Sequence, residues 1–210
     1  MTPEEQSMGD LYPRLLDRLK AGDRFLDVGC CLGQDIRKLV YDGVPGENLV
    51  GAELNAGFID VGYELFGDRD TLRAQFVVAN VLEEDAPVWK DLHSQFDVVQ
   101  LGMILHLFSW EEQVKVFEHA IKLLKPGKKG VSIIGQAVGH LLSEAHPANR
   151  KNTFRHNAES FKRLIDQVST KTGTQWKVEA SVDEGLSIYD GKRTWDDPNT
   201  RRLLFEVERV

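Results

Sequence analysis

Phe25-Leu26-Asp27-Val28-Gly29-Cys30-Cys31-Leu32-Gly33 reads as a buried strand that runs straight into a glycine turn, with a carboxylate at the strand's end. Gly29 and Gly33 permit backbone angles and a close approach that a Cβ would forbid. A turn of this kind at the carboxyl end of a parallel strand is where open α/β sheets hold their ligands. A dinucleotide site is the nearest alternative. Its G-x-G-x-x-G pattern wants glycines at 31 and 34, where this chain has Cys31 and Gln34. Asp27 and Asp35 also bracket the turn, and two carboxylates there repel a pyrophosphate and favour a cation. S-adenosylmethionine (SAM), with a sulfonium, an α-ammonium and no phosphate, meets that demand.

Asn48-Leu49-Val50-Gly51-Ala52-Glu53 reads as the next strand, and Glu53 stands 26 positions after Asp27. A carboxylate at the end of the second strand can accept both hydroxyls of an adenosine ribose, as the acid of dinucleotide folds does. The two acids at this spacing, in a strand-turn-helix-strand context, reinforce each other.

Outward from this segment, the chain has 210 residues, 41% hydrophobic and 28% charged, which suits one globular domain over 1–210 with a sizeable core. The net charge is −7, and no Lys/Arg run is longer than two apart from the short Lys125-Pro126-Gly127-Lys128-Lys129 turn, so a nucleic-acid footprint is not expected. No apolar run approaches the ~20 residues of a membrane span. Met1-Thr2-Pro3-Glu4-Glu5-Gln6 is too polar for a signal peptide. The only cysteines, Cys30 and Cys31, are adjacent and make no disulfide framework, so a reducing, cytoplasmic setting is expected.

Leu11, Leu15, Leu16 and Leu19 have helical spacing, predicting a lead-in helix within 1–22 that stops at Ala21-Gly22. Strands are predicted at 24–28, 48–53, 75–79, 96–101 and 130–135, and helices at 34–42, 56–66, 110–125 and 157–171. The helix at 110–125 turns Val114, Phe117, Ile121 and Leu124 inward and ends at Lys125-Pro126-Gly127. Trp176, Val178, Ala180 and Val182 alternate with polar residues, and so do Phe205 and Val207, which predicts a terminal antiparallel pair. The expected fold is α/β: a doubly wound, Rossmann-like, seven-stranded, mainly parallel sheet with a terminal antiparallel strand and helices on both faces. The stretch 136–156, polar and rich in His and Arg, is expected to be a long functional loop on the acceptor side.

This ordered set resembles the class I SAM-dependent methyltransferases over nearly the whole chain from Leu11. The family's first strand ends in D/E-x-G-x-G-x-G; here it is Asp27-Val28-Gly29-Cys30-Cys31-Leu32-Gly33, with Cys31 in place of the middle glycine. The resemblance implies that Asp27 and Gly29 lie against the methionine part of SAM, that Glu53 binds the ribose, and that Asn80, where the family often has Asp, accepts from the adenine amino group. It places Gln100-Leu101-Gly102-Met103-Ile104-Leu105-His106-Leu107-Phe108 opposite SAM and the acceptor. The run from Gly29 to Gly43, the run from Gly57 to Phe66, Leu105-His106-Leu107-Phe108-Ser109-Trp110, Val138-Gly139 and Phe154-Arg155-His156 are similar to fungal natural-product methyltransferases of meroterpenoid pathways. That likeness implies formation of a methyl ester on a carboxylic acid of a polyketide–terpenoid intermediate. Members of that group carry a longer N-terminal region, so less lid over the acceptor is expected from the 23 residues before the first strand here.

The expected cofactor-binding residues are Asp27, Gly29, Cys30, Gly33, Gln34, Asp35, Glu53, Leu54, Asn80, Val81, Gln100 and Leu101, with S-adenosylhomocysteine as the product of SAM. The expected substrate-binding residues are His106, Trp110, Arg150 and Arg155, since an Arg fork suits a carboxylate. His106 is the catalytic candidate, either as a base or as an orienting donor. Cys30 and Cys31 read as small residues packing beneath the cofactor, and His93 and His119 as surface residues. His140, His146 and His156 lack metal-ligand spacing, so no metal is expected. The expected partner is a small-molecule carboxylic acid, or a phenol or alcohol acceptor, with neither nucleic acid nor membrane; a homodimer is left open. A carboxylic acid with a pKa near 4 is ionised at pH 7 and needs no base, whereas an alcohol must lose a proton. The competing function is a SAM-fold enzyme that cyclises or rearranges a pathway intermediate without methylating it.

Overall fold

The computed structural model describes residues 11–145, 152–183 and 197–210. Strands β1 (Phe25–Val28) and β2 (Leu49–Glu53) are buried at every position. Such unbroken burial is what a parallel strand covered on both faces requires. β3 (Gln75–Val78), β4 (Val98–Gly102) and β5 (Ser132–His140) run parallel to them. The order across the sheet is β3-β2-β1-β4-β5-β9-β8, with β8 at Trp176–Asp183 and β9 at Thr200–Arg209. β9 is antiparallel to both β5 and β8, so it is the one reversed strand of the seven. The order changes direction between β1 and β4, and the crevice for a ligand opens at their carboxyl ends.

Helices α1 (Leu11–Lys20) and α2 (Gln34–Tyr41) cover one face of the sheet, burying Leu15, Leu19, Ile36 and Leu39 against Phe25, Val98 and Ile134. α3 (Ala56–Phe66) packs beside them, its Tyr63 ring edge-on to Phe76 of β3 at 5.6 Å. On the other face α4 (Pro87–Lys90), α5 (Trp110–Leu123) and α6 (Ala158–Thr172) cover a core that includes Trp89, Phe117, Phe161 and Phe205. Both long helices start at capping boxes, Ser109 with Glu112 and Asn157 with Ser160. Each box satisfies two otherwise orphaned backbone donors and fixes where its helix begins.

Among the described residues of the stretch expected as a long loop, 136–145 and 152–156, most are strand. β5 continues through Gln136–His140, paired with β9 out to His140 opposite Thr200. A two-stranded hairpin follows, β6 (Glu144–Ala145) with β7 (Phe154–Arg155). Two of the histidines that made 136–156 read as loop, His140 and His156, find partners inside the fold. His140 is wholly buried, with Nε2 2.9 Å from Asp197 Oδ2 and Nδ1 accepting the Leu142 N–H at 3.2 Å. A Cβ on Gly139 would collide with the His156 carbonyl, so only glycine lets β5 pass there. His146 and Arg150 lie outside the described residues.

α3 presses on the glycine turn through Gly62, the one fully buried residue of that helix. A Cβ there would run into the Leu32 carbonyl oxygen. Gly→Ala in a helix interior normally stabilises by about 0.8–1.0 kcal/mol. Overpacking costs about 1–3 kcal/mol, and here the obstacle is backbone rather than a movable side chain. Gly62→Ala should therefore lower the urea midpoint, and it should weaken cofactor binding because Leu32 is displaced. A higher midpoint would show that the turn yields without cost.

Candidate active site

The turn after β1 is held from below by β2. The Gly29 and Cys30 amides donate to the Ala52 carbonyl at 2.7 and 3.1 Å. Gly29, Cys31 and Gly33 all have positive φ, +78°, +53° and +69°. Cys31 is the costly one, since an L-residue with a Cβ pays about 1–2 kcal/mol there. Its amide donates to Glu53 Oε2 at 2.9 Å, which offsets part of that cost. From outside, Arg37 donates to the Leu32 carbonyl and makes a bidentate pair with Asp68 at 2.7 and 2.9 Å. Its guanidinium lies 4.6 Å from the Phe66 ring centre. Arg37 and Gly62 support the turn and were not singled out from sequence. The spacing Gly33-x-x-x-Arg37 is consistent with a turn carbonyl one helical turn below the guanidinium, but nothing in the sequence marks it.

Asp27 is 2% exposed. Gln100 stands opposite it in the β1–β4 register, and its Nε2 donates to Asp27 Oδ1 at 3.3 Å and to Asp35 Oδ2 at 2.9 Å. Burial above all, then the negative charges of Asp35 and Glu53, push the Asp27 carboxyl up to about 8, against the opposing Gln100 hydrogen bond. Burial, then Asp27 and Glu53, likewise raise the Cys30 thiol well above its usual range, so it is no thiolate nucleophile. Glu53 accepts the amides of Cys31 and Asn55 at 2.9 and 3.0 Å, one on each oxygen, and each oxygen keeps a lone pair. A cavity of about 140 Å³ opens beside these groups, lined by Leu11, Asp35, Gln100, Gly102 and Gln136 among others.

SAM fits this donor set. Two acids, Asp27 and Asp35, suit its cationic methionine end, and Glu53 has the capacity for two ribose hydroxyls. Leu54, 66% exposed beside Glu53, and half-buried Val81 offer apolar surface for the adenine. Asn80 is partly committed to its own turn: its Oδ1 accepts the Leu82 amide at 3.1 Å and its Nδ2 donates to Glu83 at 2.9 Å, leaving one lone pair. Gln100 bridges two acids. Cys30 and Leu101, expected among the ligand-binding residues, are 1% and 0% exposed; their side chains pack the core beneath the turn instead of facing a ligand. Gln34 lies in a groove on the outer side of α2 with Lys38 and Tyr41, away from the acid cluster. His119 is not a surface residue. It is fully buried, its Nδ1–H donates to the Val81 carbonyl at 2.9 Å, and its ring meets Trp89 edge-on at 4.7 Å. It supports the Asn80–Val81 loop, and its place between Val116 and Ala120 on the inward face of α5 was the available signal.

After β4 the backbone bends sharply. Met103 sits at φ +57° with its amide on the Gln136 carbonyl at 2.7 Å, and Ile104 then lies over Gly29, where a Cβ would meet it. The bend brings His106, on the short 3₁₀ turn Leu105–Leu107, to the mouth of the crevice. His106 Nδ1 accepts the Val138 amide at 3.3 Å. Burial, and then the nearby positive charge of Arg155, push its imidazole down to about 4. His106 and Arg155, from the turn and from β7, are thus brought together. Trp110 is turned elsewhere: its indole N–H donates to Gln167 at 2.8 Å and its ring packs edge-on to Phe154 at 5.0 Å, so it braces the hairpin.

This sheet order, with acids at the ends of β1 and β2 and a donor-lined mouth after β4, defines a site for a cationic adenosyl cofactor. A methyltransferase domain family model matches residues 25–127. The O-methyltransferase phiE of Fungal sp. (strain ATCC 74256) is 39% identical over 95% of this chain and 71% of its own length. The O-methyltransferase atr3 of Stereocaulon alpinum is 41% identical over 97% of this chain, which spans 59% of that protein. The Asnovolin E/Chermesin D methyltransferase nvfJ of Aspergillus novofumigatus is 33% identical over 82% of this chain and 63% of its own length. Among solved structures, a SAM-dependent methyltransferase from Archaeoglobus fulgidus superposes with a TM-score of 0.62 at 14% identity, covering 98% of this chain and 94% of that one. The [4+2]-cyclase SpnF superposes at 0.67 and 13% identity, over 95% of this chain and 81% of that one; both show the fold alone. The chain belongs to the class I SAM-dependent methyltransferases, in the family of fungal O-methyltransferases. Among the described residues, no helix is long and apolar enough to cross a membrane.

The raised Asp27 carboxyl sets a pH signature. An unfolded Asp ionises near 3.8, whereas the native one holds its proton to about 8. Between those values the native state binds the extra proton, so the stability of the ligand-free protein falls as pH rises through that window. Asp27→Asn should be more stable than the parent at pH 8, with the gap closing toward pH 4. Each kcal/mol is worth about 2–4 °C in a chain of this size. The same variant should bind SAM more weakly, and wild-type SAM binding below pH 8 should release a proton, read by calorimetry in two buffers. A less stable Asp27→Asn at pH 8 would mean that the carboxylate is already ionised and paired.

Proposed function

We propose that the chain transfers the methyl group of SAM to a carboxylate oxygen of a small natural-product intermediate, forming a methyl ester. The contact between Val138 and His106 carries this reading. With Nδ1 accepting a backbone N–H, the ring proton sits on Nε2. A neutral imidazole pushed down to about 4 is a hydrogen-bond donor at pH 7, and a poor base. An acceptor that had to lose a proton would find no help from it. A carboxylic acid arrives already ionised. Arg155, whose charge His106 senses, supplies the positive end that an anionic acceptor needs. The relatives named as natural-product methyltransferases support the small-molecule class.

Bound SAM supplies a methyl group on a strongly activated sulfonium, so the protein's share is alignment and exclusion of water. Ile104 over Gly29 walls the crevice, Asp27 and Glu53 anchor the cofactor, and His106 with Arg155 holds the acceptor oxygen. Charge balances without a proton transfer: carboxylate and sulfonium become a neutral ester and a neutral thioether. Incubation with SAM and matched sets of terpenoid carboxylic acids and phenols tests the reading. A product heavier by one CH₂ and reversed by mild alkali supports it. Methylation of the phenols alone overturns it, and a product of unchanged mass points to rearrangement.

His106→Gln keeps an N–H donor near the Nε2 position, so kcat should stay within about tenfold of wild type and the rate should remain nearly flat from about pH 6 to 9. A general base would cost ~10²–10⁴-fold on removal. Arg155→Ala should raise the acceptor KM by about 10- to 100-fold, the range for hydrogen bonds to a charged group, and leave SAM affinity unchanged. Equal loss of both would assign Arg155 to holding the hairpin.

A further inference from the structure

Gln113, in the first turns of α5, is completely buried and spends every hydrogen-bonding atom. Its Nε2 donates to the Phe154 carbonyl at 2.9 Å and to the Phe108 carbonyl at 3.2 Å. The first belongs to the residue before Arg155, the second to the residue two after His106. The two segments also meet directly, through the Phe154 amide on the Phe108 carbonyl at 2.9 Å. Gln113 Oε1 lies 2.9 Å from His156 Nε2, and His156 Nδ1 lies 2.9 Å from Ser160 Oγ.

Only one arrangement of protons satisfies this chain. A reversed Gln113 amide would set its oxygen against two carbonyl oxygens, so Nε2 must face them. Oε1 then needs a donor, which places the His156 proton on Nε2. His156 Nδ1 in turn accepts from the Ser160 hydroxyl, whose alternative acceptor, the Asn157 carbonyl, is farther away at 3.2 Å, while its oxygen accepts the Asn157 amide at 3.1 Å. His156 is 2% exposed, and burial, with the charge of Arg163 adding to it, pushes it down to about 3, so it stays neutral in this role.

We propose that Gln113 is a positioning residue: its amide fixes the spacing between the His106 turn and the Arg155 strand, and His156 keeps that amide from turning over. The consequence for catalysis rests on the reading that His106 and Arg155 face the acceptor. The clamp itself does not, so the first measurement below is independent of that reading.

Histidine-¹⁵N spectra of the S-adenosylhomocysteine complex, with the His106 signal assigned by its loss in His106→Gln, provide the test. In wild type His106 should show the Nε2–H tautomer and titrate well below 6.5. In Gln113→Leu it should lose the single tautomer and titrate back toward 6.5, as Arg155 and Val138 move relative to the ring. His156→Leu should do the same, whereas His156→Gln, which still presents an N–H to Gln113, should keep the wild-type signature. Affinity for S-adenosylhomocysteine should stay within about twofold throughout. An unchanged His106 signal in Gln113→Leu overturns the proposal, and so does a His156→Gln protein as disturbed as His156→Leu. If Gln113→Leu does not fold, the His156 pair decides. On a carboxylic acid that the wild type methylates, Gln113→Leu should raise KM at least tenfold with SAM affinity intact. Should the His106 signal move as expected while wild type methylates no carboxylic acid, the acceptor reading fails and the clamp stands.

Discussion

A carboxylic acid held out of water at the end of β1 is the constraint around which the rest of this molecule is arranged. Among the described residues no cation stands beside Asp27, and its hydrogen-bond partner is one amide proton of Gln100. Asp97, at the opposite end of the sheet, is equally buried and solved differently. Burial alone would raise it, but the Arg24 amide, Lys125 and Lys128 outweigh that and hold it below the usual carboxylate range. The comparison separates two uses of one residue type. A paired buried acid staples strands together. An unpaired one carries an unmet demand for positive charge, and such perturbed groups in a crevice mark ligand sites. The parallel β1–β4 register, which sets Gln100 against Asp27, is what keeps the demand from being met within the protein.

The cofactor half of the candidate site is local in sequence, and the structure brings its acids and glycines together around one turn. Asp27, Gly29 and Gly33 lie within seven residues, and Glu53 ends the very next strand. The doubly wound order follows from alternating strands and helices with a right-handed crossover rule, and β9–β8 announced itself by alternation. What escaped was whatever depends on polar groups finding partners far along the chain. His140 with Asp197, Gln113 with His156, and His119 with the Val81 carbonyl join segments 57, 43 and 38 residues apart. Hydropathy treats such residues as solvent-facing. That is why 136–140 read as loop although it is the end of β5, and why His119 read as surface. Cys30 and Leu101 erred the other way: motif position put them near the ligand, but the turn aims the Cys30 thiol at Gly51 of β2 and strand alternation turns Leu101 into the core.

The two halves of the site are built from different materials. Glycines and acids hold the cofactor side, where the backbone must come close and charge must be supplied. Neutral, hydrogen-bonded histidines and amides build the side proposed above for the acceptor. His106 has one ring nitrogen engaged by a backbone amide, and His156 is locked on both. Burial disfavours the charged form of each. A histidine in that condition serves as a rigid planar donor of fixed tautomer and gives up its ordinary role as a proton exchanger near neutrality.

That choice has an electrostatic consequence. If the acceptor wall carried protonated histidines beside Arg155, it would oppose a sulfonium across the crevice and bind any anion tightly in every state of the reaction. With the histidines neutral, Arg155 is the cation whose charge His106 senses, and Asp27, Asp35 and Glu53 cluster at the cofactor turn. Under the proposed methyl-ester reading, an anionic acceptor would lie between a guanidinium and a sulfonium, and both attractions to the acceptor would weaken together once a neutral ester forms. Binding that is strong for the reacting ion pair and weak for the uncharged products favours turnover over product retention. On the proposed reading, the same geometry gives an uncharged alcohol neither a base nor a counter-charge, and selectivity for an ionised acceptor would follow from the protonation states of the wall rather than from the shape of a pocket.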